Sequence, residues 1–482
     1  MLVNQRKNGT GIFQMWSEDQ LKQLHAASLE ILERTGVIVK DKKAREMLAD
    51  AGALVKGEAA RIPAWMVEEA IRSAPSKINL VSKDGMQRLN LYENNIYFGL
   101  GTDLPNFKDL YTDEIRPTLL SDIENVSKIT QVSANIDFIA SLGLASDVDQ
   151  RAVDLYHFKA MRKYCNKPIW TTAVGPDNLK SLIDMAAVSA GGYDELRLKP
   201  SFGVYNEPVS PLVFSEEAVR KLMLCAEYGI PSTWAPGITA GGTGPMTFAA
   251  CLAVGNAEGL GGLVIHQLTK KGAPFIYGII FSAMDMKAAT SPYGTPEANL
   301  GQVVAVELGK YYGLPTYGTG GVTEAVTIDA QAGLEAMFTN ITNAMSGANL
   351  IHDNGYTGCG LIGSLEMILL DDEIAGYVKH FLKGFEISEE TLALDVIHKV
   401  GHGGEYISHP HTFKTFKNIL YDPRYLNRKQ YPAWIQNGSR KIDEVLNERV
   451  REFLQKEMPV LLSDEEEKAY DQLIEKRIKE LG

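Results

Sequence analysis

A chain of 482 residues can bury a large core, and 45% hydrophobic with 22% charged residues is the balance of an ordinary soluble globular protein. A net charge of -12 argues against nucleic acid as the main partner, because phosphate binding needs a basic field. No run of about 18 uninterrupted apolar residues appears and Met1 to Lys7 lacks an apolar signal core, so no membrane and a cytoplasmic location are expected. Cys165, Cys225, Cys251 and Cys359 form no CxxC pair, so neither a zinc knuckle nor a disulfide framework is suggested.

In chain order, residues 1–95 read as a helical and short-strand extension. Ser17 caps a helix with Glu18 and Asp19 in its first turn and Leu21, Leu24, Leu29, Ile31 and Leu32 apolar, and Gly36 stops it. Amphipathic stretches follow at Lys42 to Ala51 and Ala64 to Ala74, then alternating runs at Ile78 to Val81 and Leu89 to Leu91. From Ile96 to residue 360 eight apolar runs alternate with helical stretches. They are Ile96 to Gly99, Phe138 to Leu142, Ile169 to Ala173, Ser201 to Val204, Ser232 to Trp234, Phe275 to Ile280, Thr316 to Tyr317 and Leu350 to Ile351. Several follow a proline (Pro168, Pro200, Pro231, Pro274, Pro315), where a strand can start without losing a central ladder bond. Eight units predict an α/β fold of the (β/α)8 barrel type over 96–360. A doubly wound open sheet would alternate likewise, but no GxGxxG follows the first run. Residues 361–482 read as a C-terminal helical region, with helices over Ser364 to Gly384, Ser388 to His398 and Ile442 to Leu481.

In a barrel the active site lies at the carboxyl ends of the strands. There the sequence offers Gly101-Thr102-Asp103, Tyr205-Asn206-Glu207, Gly237 with the loop Thr239 to Pro245, Phe281 and Asp285, Thr319 and Gly320, and His352, Asn354 and Tyr356. Aromatic and acidic side chains dominate, and lysine and arginine are absent, which suits a small organic cation held by ring faces and carboxylates. Any single ring could equally fill a barrel layer. Gly241-Gly242-Thr243-Gly244-Pro245 opens a helix and offers backbone N–H groups to an anion such as a carboxylate, though it lacks the Lys-Ser/Thr of a P-loop. His352, His402, His409 and His411 form no metal-ligand set, and no metal is expected.

Several ordered motifs carry a family resemblance: Asn256-Ala257-Glu258, Gly272 to Gly278, Met284-Asp285-Met286, Pro296-Glu297, Asp329 to Gly333, Ser364-Leu365-Glu366, Val400 to Gly404, His411-Thr412 and Tyr431 to Trp434. Over nearly the whole chain the sequence resembles the trimethylamine methyltransferase superfamily. That resemblance implies a (β/α)8 barrel moving a methyl group from a methylated amine to the Co(I) of a corrinoid (cobalamin) carried by a separate cognate protein, with no cofactor bound permanently. Founding members carry pyrrolysine and this sequence has only standard residues, so it is similar to quaternary-amine demethylases. Glycine betaine is the leading substrate, giving dimethylglycine and methyl-Co(III); proline betaine, carnitine and γ-butyrobetaine are relatives' substrates. Tyr97, Tyr205, Trp234, Tyr277, Phe281 and Tyr356 are then the candidate rings for the cation, with Asn206, Glu207, Gly320 and Asn354 as further substrate contacts. Asp103 and His352 are the catalytic candidates. His352, with Gly320 or the Thr239 to Gly244 loop, is expected to hold the carboxylate. Gly237, Gly241, Gly242, Asp285 and Thr319 are expected to face the corrinoid, and the C-terminal helix could contribute to a homo-oligomer. Two other classes fit parts of the pattern: a non-catalytic betaine-binding protein, and a metal-dependent barrel hydrolase or lyase using Asp103, Glu207, Asp285 and His352.

Overall fold

The computed structural model describes residues 13–482; the Met1 to Lys7 segment lies outside them. Eight short strands alternate with eight longer helices. The strands are β1 (Tyr97–Leu100), β2 (Ile136–Phe138), β3 (Ile169–Thr171), β4 (Phe202–Val204), β5 (Ser232–Trp234), β6 (Phe275–Tyr277), β7 (Tyr317–Thr319) and β8 (Leu350–Asn354). The helices after them are α1 (Leu120–Val132), α2 (Val153–Tyr164), α3 (Pro176–Ala190), α4 (Glu216–Tyr228), α5 (Phe248–Thr269), α6 (Pro296–Tyr311), α7 (Ala330–Ser346) and α8 (Leu365–Lys383). Each apolar run of the sequence overlaps one strand. β2 starts two residues earlier than expected, and β8 runs on to Asn354, which puts His352 inside the strand.

The fold is mixed α/β with parallel sheets. One sheet has the order β7-β8-β1-β2 and the other β3-β4-β5-β6. Single parallel bridges, Ile139 to Ile169 and Tyr277 to Thr316, link the facing edges of the two. The prolines explain how such short strands start cleanly. Each gives up an N–H, yet the carbonyls of Pro168, Pro231, Pro274 and Pro315 accept from Ile139, Val204, Ser232 and Tyr277 of the neighbouring strand.

Side chains alternate along each strand, so parity decides what faces the space between the sheets. Trp170 of β3 and Tyr317 of β7 belong to different sheets, yet their rings lie 5.4 Å apart. The opposite face meets the helices. There the Trp234 ring sits so close to α5 that a Cβ on Gly262 would fall 2.2 Å from it, and Phe281 fills the matching notch at Gly301 of α6.

The N-terminal elements wrap α5. Ser28, on the helix Glu18–Glu30, donates to the Ala253 carbonyl at 2.9 Å and accepts from Asn256 at 2.9 Å. Val37–Val39 pairs in parallel with Val213–Phe214, and the helix Ala64–Ser73 also lies on α5. Among the described residues α5 is the one helix long and apolar enough to cross a membrane, and 78% of its apolar window is buried inside the protein. A helix covered on every side needs no polar face. The helix expected over Ser388 to His398 is broken in two, Glu389–Leu392 and Leu394–Val400, by Ala393 in the left-handed region at φ 45°.

Candidate active site

At the carboxyl ends of the strands a cavity of about 350 Å³ opens. β1 supplies Thr102, Asp103 and Leu104 from the turn that follows it, β3 supplies Thr172, and β4 supplies Tyr205, Asn206 and Glu207. Ile280, Tyr317, His352, Asp353 and Tyr356 close the opposite wall, Tyr293 and Gly360 come from loops, and Lys221 reaches in from α4.

The walls are held by short hydrogen bonds. Thr172 Oγ1 donates to Asp103 Oδ2 at 2.6 Å, and Tyr205 Oη donates to Glu207 Oε2 at 2.7 Å. Tyr356 Oη spans to β1, donating to the Thr102 carbonyl at 2.5 Å and accepting its N–H at 2.8 Å. The His352 ring stacks on Tyr317 at 3.9 Å and 14°. Both its nitrogens are engaged, Nδ1 by Asp353 and Nε2 by Thr319 Oγ1 at 3.3 Å. Lys221 Nζ donates to the Ala173 carbonyl at 2.8 Å and pairs with Glu217 at 3.2 Å. Asp103 and Asp353 both have left-handed backbone, φ 63° and 76°, which non-glycine residues rarely adopt and which clusters at ligand sites.

Electrostatically the cavity is an acidic, aromatic box with one lysine at its edge. Desolvation pushes the Asp103 carboxyl above its ordinary range, opposed by the hydroxyls of Thr172, Thr102 and Ser141. Glu207 is raised for the same reason, with the Tyr205 hydroxyl and Lys221 pulling the other way. Burial holds the phenols of Tyr205, Tyr317 and Tyr356 well above their usual range and pushes Tyr293 up to about 12, so all four stay neutral rings. Such a box lowers the free energy of a cation through ring quadrupoles and carboxylates.

Of the residues singled out in the sequence, Asp103, His352, Tyr205, Asn206, Glu207 and Tyr356 come together on this cavity. The Asn206 side chain turns away, donating to Ser232 Oγ at 2.8 Å. Thr319 sits beneath His352, and Gly237 lies beside Glu207, its Cβ direction 3.6 Å from Oε2. Four of the candidate rings are elsewhere. Tyr97 accepts the Asn90 N–H below the sheet, Trp234 donates to the Glu258 carbonyl, Tyr277 donates to Asn256 of α5, and Phe281 packs edge-on against Phe248. Strand parity turns the last three toward the helices.

Asn354 is a buried strut, donating to the Gly99 and Ile351 carbonyls and accepting from Asn340. Gly320 is packed against Asn340 and Ile351. In the glycine loop, Gly241, Gly242 and Gly244 spend their N–H groups on carbonyls of the same turn. Asp285 is exposed and accepts from Lys287 and Ala288 within its own turn, which lowers its pKa. Tyr317, Thr172, Asp353, Tyr293 and Lys221 were not singled out. Tyr317 begins a strand of three residues, too short for its facing to be read from alternation, and nothing local marks Lys221, which arrives from a helix. Among the described residues no three His, Cys, Asp or Glu side chains are grouped to hold a metal ion.

A sequence profile described as trimethylamine methyltransferase (MTTB) matches residues 1–482. The trimethylamine methyltransferase MttB of Desulfitobacterium hafniense (strain DSM 10664 / DCB-2) is 30% identical over 472 residues, 97% of this chain and 94% of that one. The glycine betaine methyltransferase of Desulfitobacterium hafniense (strain Y51) is 29% identical over 472 residues, 98% of each chain. Among solved structures, the monomethylamine methyltransferase MtmB of Methanosarcina barkeri superposes with a TM-score of 0.54 at 13% identity, over 98% of this chain and 89% of that one, which shows a shared fold. The match along its full length, over the cavity just described, means that the chain belongs to the trimethylamine methyltransferase family, and it is a methyltransferase of that family.

Proposed function

We propose that this methyltransferase demethylates a small zwitterionic quaternary amine, with glycine betaine first among the candidates, and passes the methyl to the Co(I) of a corrinoid held by a partner protein. The observation that carries the reading is one cavity lined by the rings of Tyr205, Tyr293, Tyr317 and Tyr356, the carboxylates of Asp103, Glu207 and Asp353, and a single lysine, Lys221. Rings and acids suit the trimethylammonium end, and Lys221 Nζ suits the carboxylate end. Trimethylamine and other substrates without an acid group have no use for that lysine. The named glycine betaine relative is consistent with the reading.

The scaffold is taken to be an eight-stranded (β/α)8 barrel spanning residues 96–360. The parallel order of both sheets and the bridges joining their facing edges support this closure. Residues 1–95 and 361–482 then lie outside that span, except that α8 (Leu365–Lys383) completes its eighth unit.

A quaternary nitrogen has no lone pair, so the methyl carbon is attacked in line with its C–N bond, the amine leaves neutral, and no general acid is required. Catalysis reduces to positioning and exclusion of water. Asp103 and Glu207, whose carboxyls burial raises above their ordinary range, face the cation and fix its orientation with one methyl toward the mouth. The nitrogen loses its charge in the transition state, so a neutral ring box is better matched than a tight carboxylate clamp. His352, with both nitrogens occupied, positions the Tyr317 ring and Asp353.

The test is incubation of the purified protein with a reduced corrinoid protein and glycine betaine, following dimethylglycine by mass spectrometry. Dimethylglycine accumulating with time is expected. Turnover of trimethylamine but of no quaternary amine would overturn the substrate assignment.

A further inference from the structure

Tyr293 is held at the cavity differently from its neighbours. The hydroxyls of Tyr205 and Tyr356 are hydrogen-bonded to Glu207 and to the Thr102 backbone, and so fix their own rings. Tyr293 is fixed through its main chain. It stands in the segment 284–295, which joins the strand Ile280–Ala283 to α6 and leaves residues 285–290 exposed. The segment first closes on itself, with Asp285 pairing to Thr290. Beyond that turn the N–H groups of Tyr293 and Gly294 both donate to a single side-chain oxygen, Glu324 Oε1, at 2.7 and 2.9 Å. Bonds to an ionised acceptor are about twice as strong as those between neutral groups.

Glu324 belongs to the loop after β7 and is itself held in place. Its N–H donates to Glu335 Oε2 of α7 at 2.8 Å, and Thr323 Oγ1 donates to the same oxygen at 2.6 Å. Its second carboxylate oxygen accepts from the Cys359 thiol, in the turn after β8. Burial, and then the hydrogen bond and charge of Glu324, push that thiol up to about 12, so it stays a donor. The Gly358 N–H reinforces the junction by donating to the Ala325 carbonyl at 2.9 Å. One carboxylate thus ties together three loops of the carboxyl face. Close packing completes the hold: a Cβ on Gly294 would lie 3.2 Å from the Glu335 carboxyl carbon, and one on Gly360 would lie 3.5 Å from the rings of both Tyr293 and Tyr356. Glu324 does not line the cavity, whereas Tyr293 and Gly360 do. We propose that Glu324 is a positioning residue for the substrate, setting the Tyr293 ring against the cation and so deciding how firmly the methylated nitrogen is gripped. The inference rests on the binding of a quaternary ammonium in that cavity, since the attraction of a ring for a cation holds only with the charge over its face.

Two measurements on the purified full-length protein test this. Hydrogen exchange read by mass spectrometry needs no substrate. The wild type and Glu324→Gln, which keeps an oxygen for both N–H groups, are expected to protect the amides of Tyr293 and Gly294, and Glu324→Ala is expected to exchange them about tenfold faster or more. Unchanged exchange in Glu324→Ala overturns the proposal whatever the substrate. The second measurement is a double-mutant cycle on the dissociation constant of glycine betaine, by calorimetry without the corrinoid protein. Tyr293→Ala is expected to weaken binding about tenfold and Glu324→Ala about fivefold, with Glu324→Gln close to the wild type. The double variant should bind no more weakly than Tyr293→Ala alone, because Glu324 acts through that ring. Additive losses, or full affinity in Glu324→Ala, overturn the proposal. A wild type that binds trimethylamine but not glycine betaine refutes the substrate reading alone, and the same cycle on trimethylamine then decides the role of Glu324; one that binds no methylated amine overturns both.

Discussion

The two ends of the parallel strands bury charge of opposite sign and use it differently. At the amino ends Lys167 Nζ donates to the carbonyls of Thr130, Ser133 and Ile136, each at 2.6 Å, and Arg162 donates to the Ser201 carbonyl at 3.1 Å. Thr130 and Ser133 close the last turn of α1, where helix carbonyls lack partners and the dipole favours a cation. Burial lowers the pKa of both cations, and the backbone takes up the Lys167 charge completely. At the carboxyl ends burial also raises the carboxyls of Asp103 and Glu207, but their partners are side-chain hydroxyls rather than backbone. Charge saturated by backbone stabilises the fold, while charge left partly unanswered is available to a ligand.

The strongest way to break this contrast is Lys167→Ala. Three carbonyls lose their donor, and the variant is expected to be less stable by about 3 kcal/mol or more in urea denaturation, with turnover per folded molecule unchanged. A loss of activity without loss of stability would erase the distinction between the ends. Glu207→Gln probes the other end. It should leave the unfolding midpoint in place and lower kcat/KM for the quaternary amine about 10- to 100-fold, since a charge-assisted contact is worth roughly 1.5–3 kcal/mol. Lys221→Met should raise KM for glycine betaine about tenfold and leave KM for tetramethylammonium, which has no carboxylate, unchanged. Equal effects on both would remove Lys221 from substrate recognition.

The smallest effect sharpens the comparison through pH. Asp371 of α8 is buried, accepts the Gly355 N–H at 2.7 Å, and has its other oxygen without a hydrogen-bond partner among the described residues. Burial raises its carboxyl well above the usual value. The unfolded chain therefore releases this proton first as pH rises, so stability is greatest below the ordinary carboxylate pKa, near 4, and falls as pH climbs toward the folded value. Asp371→Asn keeps an acceptor for Gly355 and removes that fall. The variant should match the wild type in acid and exceed it at pH 8 in paired denaturation curves; equal stability at both would show that the charge is answered after all.

Much of this architecture is legible in the chain. A proline before an apolar run marks Ile169, Ser232 and Phe275 as strand beginnings without any tertiary information, and the acids and rings after the strands mark where the cavity forms. What is lost is direction. Tyr277 and Tyr317 look alike in sequence, each a tyrosine in a three-residue strand that follows a proline, yet one is hydrogen-bonded to α5 and the other lies under His352. A strand of three residues gives too few alternations to fix its parity, and only the facing glycines, such as Gly262 beneath Trp234, record it. Lys221 is a third case, because a side chain delivered by a helix leaves no mark near the strand ends it reaches.

The apolar helix α5 has a consequence for how the chain is made. Twenty-two residues that would otherwise attract lipid or aggregate leave the ribosome together, but the helices Glu18–Glu30, Lys42–Asp50 and Ala64–Ser73, which pack on them, have already been synthesised. The surfaces that bury the most apolar helix of the chain are thus synthesised ahead of it.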